Sequence, residues 1–144
     1  MKTKSNTIEL SSAEETSKYG QELSEGISQG GLICLYGELG SGKTTLTKGI
    51  AAGLGIDAFS VKSPTYTYIR KCKLENNDFY HIDLYRLNGV DELIINEINE
   101  IISNQNNIVV IEWAERLKGQ LNKTGLEIHL EYAGENTRKI KVNE

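Results

Sequence analysis

Gly37-Glu38-Leu39-Gly40-Ser41-Gly42-Lys43-Thr44 fits G-x-x-x-x-G-K-[ST] at every fixed position. The apolar run Leu32-Ile33-Cys34-Leu35-Tyr36 precedes it, as a buried parallel strand would. Beyond it, the stretch from Thr45 to Leu54 places Leu46, Ile50 and Leu54 on one helical face. The loop is therefore expected between a strand and a helix, where backbone N–H groups and the helix N-terminus converge on a phosphate. Gly37, Gly40 and Gly42 let the backbone wrap close to oxygen atoms. Lys43 reads as an exposed loop residue that reaches the β- and γ-phosphates, and Thr44 offers a hydroxyl to Mg²⁺. The expected cradle for ATP or ADP is Glu38, Leu39, Gly40, Ser41, Gly42, Lys43, Thr44 and Thr45.

Working outward, Thr7 to Leu10 reads as a short strand, and Ser12-Ala13-Glu14-Glu15 as a capping box opening a helix. Tyr19, Leu23 and Ile27 give that helix its apolar stripe. Thr65 to Lys73 and Phe79 to Leu84 read as a hairpin turning at Asn76-Asn77-Asp78. Leu87 to Asn104 holds one or two short helices, with Leu93, Ile94, Ile98, Ile101 and Ile102 as their apolar faces. Ile108-Val109-Val110-Ile111-Glu112-Trp113 is the second buried strand. Leu126, Ile128 and Leu130, then Ile140 and Val142, alternate as an antiparallel hairpin with two free edges. The expected fold is α/β, a P-loop architecture in three layers, with a mostly parallel central sheet plus antiparallel strands. Residues 1–144 are read as one domain.

A net charge of −4 and a pI near 5.3 argue against direct, charge-driven nucleic-acid binding. The basic residues Lys62, Arg70, Lys71 and Lys73 read as a solvated strand edge. No run approaches the ~18 apolar residues of a membrane span, and the N-terminus lacks a signal-peptide core. Cys34 and Cys72 read as free thiols in a cytoplasmic protein.

A triphosphate site needs a carboxylate for Mg²⁺, and such an acid usually ends an apolar strand at the ligand edge of the sheet. Glu112 and Asp83 both have that placement. His81, two residues before Asp83, reads as a satisfied strand histidine. Trp113 is either a core tryptophan or an aromatic beside the site.

Four segments, Gly37 to Thr45, Ser63-Pro64-Thr65-Tyr66-Thr67, His81-Ile82-Asp83-Leu84-Tyr85-Arg86 and Ile111-Glu112-Trp113, together resemble the bacterial TsaE (YjeE-type) P-loop proteins. The likeness runs from about Leu10 to Leu117. It implies an ATPase that supports formation of N6-threonylcarbamoyladenosine (t6A) at position 37 of tRNAs reading codons that begin with A. Its implied partners are TsaD and TsaB, with tRNA met only indirectly. The resemblance also implies that Thr44 and Glu112 ligate Mg²⁺, with Asp83 acting beside them. Lys43, Asp83 and Glu112 are then the catalytic set, and Ser63 and Thr65 face the γ-phosphate. Ala114 departs from the proline frequent in the family.

Two rival readings are a small-molecule kinase and a GTPase-like switch. A kinase needs cationic groups over the phosphoryl group and usually a lid, and this chain has four arginines and no spare length. Guanine reading needs Asn-Lys-x-Asp, whereas the nearest stretch, Asn122-Lys123-Thr124-Gly125, lacks the carboxylate.

Overall fold

A computed structural model describes residues 5–38, 40–57, 68–85 and 87–143. Among them, seven strands form one sheet: β1 (Ser5–Leu10), β2 (Gly31–Tyr36), β3 (Ile69–Lys73), β4 (Asp78–Asp83), β5 (Ile108–Glu112), β6 (Leu126–Tyr132) and β7 (Arg138–Asn143). The helices are α1 (Ala13–Ile27), α2 (Lys43–Gly53) and α3 (Glu92–Ser103), and a 3₁₀ turn covers Ala114–Leu117. The spatial order is β1-β7-β6-β2-β5-β4-β3. β6, β2, β5 and β4 run parallel, while β3, β7 and β1 join antiparallel at the flanks.

The sheet is covered on both faces, which is why β2 and β5 are apolar without alternation. Ile33, Leu35, Ile108 and Val110 pack with Leu46 and Ile50 of α2. Cys34, Val109 and Ile111 pack with Ile95, Ile98 and Ile102 of α3. Of the one or two helices expected before β5, one forms among the described residues, α3, and its N-cap Asp91 accepts from the Ile94 N–H at 2.9 Å. Leu93 points into solvent at 75% exposure, and Ile95 takes the core position instead. The capping box of α1 forms with a shift: Ser12 accepts from Glu15 N–H at 3.1 Å, and the Glu15 carboxylate accepts from Ser11 N–H rather than from Ser12.

Two expectations change for long-range reasons. The C-terminal hairpin has no free edge, because β6 pairs with β2 and β7 with β1. In α1 the buried positions are the small residues Thr16, Gly20 and Ser24, while Tyr19, Leu23 and Ile27 are only partly covered. Small residues are needed there because α1 and α2 approach backbone to backbone. A Cβ on Gly20 would lie 2.6 Å from the Leu46 carbonyl, and one on Gly49 would lie 2.2 Å from that of Ser17.

Candidate nucleotide-binding site

The loop after β2 enters α2 through Gly42, which takes a left-handed conformation (φ 107°) open to glycine at little cost. No side chain caps α2, so its first N–H groups and the positive end of its dipole face outward. Ser41 Oγ is buried beside them without a hydrogen-bond partner. A bare helix end and an orphaned hydroxyl are what a phosphate would satisfy.

Lys43 is not the exposed loop residue its sequence position suggests. It is the first residue of α2 and only 4% exposed. Its ammonium donates to the carbonyls of Gly37 and Glu38, the latter at 2.9 Å, and lies 3.8 Å from the centroid of the Trp113 ring. Burial pushes its pKa below the ordinary lysine value, against the opposing pull of Glu115, Glu112, Asp83 and Glu38. Trp113 holds this place through a left-handed turn (φ 62°) that ends β5, unusual for a bulky residue. Its ring also meets Tyr85, with centroids 5.0 Å apart. Trp113 is thus both packed against the core and in contact with the site lysine.

The parallel register brings the two acids together: Asp83 on β4 stands opposite Glu112 on β5, on the face that α2 covers. Glu112 is 1% exposed, and its Oε1 accepts from the Thr44 hydroxyl at 2.9 Å. Its Oε2 meets His81 Nε2 at 2.5 Å. Asp83 Oδ1 accepts from the Tyr85 N–H at 3.0 Å. Burial raises the Asp83 pKa, with Glu112 acting in the same direction, while the Tyr85 hydrogen bond, His81 and Lys43 oppose.

Among the described residues no group of three or more His, Cys, Asp or Glu side chains could hold a metal alone. The oxygen set suits an ion that takes a hydroxyl and one or two carboxylates, then completes its shell with phosphate and water. That is the habit of Mg²⁺. Beside the loop, a cleft of about 980 Å³ runs along β6 and β7, bordered by Gly37, Glu38, Ser41 and Trp113. Tyr36 and His129 stack within it, 4.4 Å apart and 8° from parallel.

The family model described as "Threonylcarbamoyl adenosine biosynthesis protein TsaE" matches residues 10–140. The chain belongs to the TsaE family. A tRNA threonylcarbamoyladenosine biosynthesis protein TsaE of Haemophilus influenzae is 39% identical over 111 residues, covering 77% of this chain and 68% of the relative. The protein of the same name from Nostoc sp. is 37% identical over 140 residues, covering 94% and 83%. The crystal structure of Bacillus subtilis YdiB superposes with a TM-score of 0.75 at 30% identity, covering 99% of this chain and 87% of that one. The TsaE fold thus accounts for the mixed sheet and the order of the motifs along it.

Of the expected cradle, Glu38, Gly40, Ser41, Gly42, Lys43, Thr44 and Thr45 lie on the loop and the first turn of α2. Leu39, Lys62, Ser63, Pro64, Thr65 and Arg86 lie outside the described residues. The segment Asn122-Lys123-Thr124-Gly125 falls at the far end of β2: a Cβ on Gly125 would lie 2.3 Å from the carbonyl of Leu32, whereas the P-loop leaves from Tyr36. Lys71 pairs with Asp78 at 3.6 Å on edge strand β3, in keeping with a solvated edge. Sequence reasoning missed Glu115, whose carboxylate accepts from the Gly37 N–H at 3.3 Å. Only the 3₁₀ turn brings it to the loop. Sequence reasoning also missed what His81 touches.

Proposed function

We propose that this chain is a Mg²⁺-dependent ATPase of t6A formation, working on TsaD and TsaB and meeting tRNA only through them. The observation that carries this reading is a convergence at one point: the uncapped N-terminus of α2, the Lys43 ammonium, and the Thr44–Glu112 hydrogen bond. The TsaE membership supplies the pathway.

On this reading, Lys43 exchanges the Gly37 and Glu38 carbonyls for phosphate oxygens, trading neutral acceptors for charged ones. Bound Mg²⁺ would supply neutralisation of charge across the phosphates. Thr44 and Glu112 would hold the ion, and Asp83 would orient water or the γ-phosphate from the neighbouring strand. Ser63 and Thr65 would face the γ-phosphate, as the family resemblance implies. The far-end placement of Asn122 to Gly125 speaks against guanine readout, so ATP is favoured over GTP.

Hydrolysis by the chain alone would be slow. Arg116 donates to the Leu87 carbonyl at 2.6 Å, and Arg138 lies over Tyr132 at 4.3 Å. Both side chains lie near the loop, the Arg116 guanidinium 5.8 Å from the Trp113 ring and Arg138 beside Gly42, but each is committed to a contact within the fold. On this reading charge stabilisation at the phosphoryl group would come from a partner, as in NTPases completed in trans. No described helix is long and apolar enough to cross a membrane. The test is reconstitution of TsaD, TsaB, tRNA and the threonylcarbamoyl donor with and without this protein. Many-turnover modification should require it together with ATP, and Lys43→Ala should not replace it. Equal yields in all three mixtures would sink the proposal.

A further inference from the structure

His81 looks ordinary in the sequence, one polar residue in a strand. In the fold it is fully buried on the face of β4 that also carries Phe79 and Asp83, beneath α2. Its Nε2 lies 2.5 Å from Glu112 Oε2, and its Nδ1 has no partner. An ionised carboxylate can only accept, so Nε2 carries the proton of this bond in either charge state of the ring. Leaving Nδ1 dry costs stability, whereas an apolar side chain here would spare that cost only by leaving the buried Glu112 Oε2 without a donor. The contact with Glu112 is what the histidine supplies.

That contact continues to the P-loop. With Oε2 held by His81, Oε1 faces the Thr44 hydroxyl and accepts its proton at 2.9 Å. A hydroxyl whose proton is committed to Glu112 turns its lone pairs away from the acid and leaves them free to accept a cation. We infer that His81 is a positioning residue: through Glu112 it fixes the proton of Thr44 and so presents the Thr44 oxygen to the metal of the bound nucleotide. His81 is too deeply buried to meet nucleotide, so it acts only through the acid. Outer partners of this kind typically set metal affinity by roughly 10–100-fold. The inference rests on the Mg-nucleotide reading of the site.

The experiment compares His81→Leu, His81→Gln and His81→Asn by calorimetry with ADP, without metal and across a Mg²⁺ series, alongside thermal melts. The Gln amide reaches about where Nε2 lies, whereas the Asn amide stops near the Nδ1 position. His81→Leu strips the buried Glu112 Oε2 of its donor and should melt below wild type, bind metal-free ADP within about twofold, and need at least ~10-fold more Mg²⁺ for half-saturation. His81→Gln should restore the wild-type Mg²⁺ requirement, and His81→Asn should not. The Gln–Asn pair keeps the test intact if the leucine variant does not fold. In a Thr44→Val background, the His81 substitutions should add almost nothing. An unchanged Mg²⁺ requirement in His81→Leu overturns the assignment, as does equal behaviour of Gln and Asn. A wild-type protein whose ADP binding ignores Mg²⁺ overturns the reading of the site itself, and this assignment with it.

Discussion

The Lys43 ammonium sits 3.8 Å from the centroid of the Trp113 ring, so the P-loop charge and the single tryptophan of the chain touch. A lysine gripping phosphate cannot also hold the Gly37 and Glu38 carbonyls and this ring. Nucleotide binding is therefore expected to change Trp113 emission, and titration with Mg-ADP followed by fluorescence checks this. Lys43→Ala should lose detectable ATP binding in calorimetry while keeping its circular dichroism spectrum. Lys43→Met keeps a chain to pack on the indole, so it should lose binding with a smaller drop in melting temperature. Wild-type affinity in either variant would remove Lys43 from the site.

Glu112 and Asp83 are cross-strand neighbours but differ in what they touch. Only Glu112 holds Thr44, while Asp83 is tied to the backbone of the next turn. Glu112→Gln should slow Mg²⁺-dependent hydrolysis by more than ~100-fold, the scale for losing one preorganised electrostatic group. Binding of nucleotide without metal should change far less. Should Asp83→Asn abolish Mg²⁺ dependence while Glu112→Gln leaves it unchanged, the roles are reversed.

Asp83 also makes stability depend on pH. Its pKa is raised in the fold, chiefly by burial, so the folded chain holds this proton more tightly than the unfolded chain, whose value is about 3.9. The stabilising effect of protonation is complete below the unfolded value and is lost as pH rises through the folded one. In urea melts without metal, Asp83→Asn should flatten this decline above pH 4 and be more stable than wild type at neutral pH. A variant whose pH profile overlays that of wild type would show that the carboxyl titrates normally.

The contact of α1 with α2 gives a test remote from the chemistry. Because a Cβ on Gly49 would meet the Ser17 carbonyl at 2.2 Å, Gly49→Ala should force the helices apart. Despite the better helix propensity of alanine, a loss on the order of 1–3 kcal/mol is expected from overpacking. Denaturant unfolding measures it, and a stabilised variant would contradict the close approach.

Much of the site is legible in one dimension because its parts are local. The glycines, Lys43 and Thr44 lie within eight consecutive residues, and Glu112 ends an apolar run whose continuity marks a strand covered on both faces. The α/β order and the TsaE likeness follow from such short stretches and their sequence. The tertiary structure alone decided which elements meet. Alternation in Leu126 to Leu130 shows a strand with one buried face, but not that its edge pairs with β2, since pairing partners are set by backbone groups every strand shares. The spacing of Tyr19, Leu23 and Ile27 marks an apolar stripe, yet Gly20 and Gly49 are what let α1 and α2 meet backbone to backbone, where absence of a side chain is what packs. His81 reads as an ordinary strand polar residue until β4 and β5 are placed in register under α2. Only then does a residue 31 positions away supply its one hydrogen-bond partner. Periodicity tells which way a side chain points, and burial and partnership depend on what another part of the chain brings to cover it.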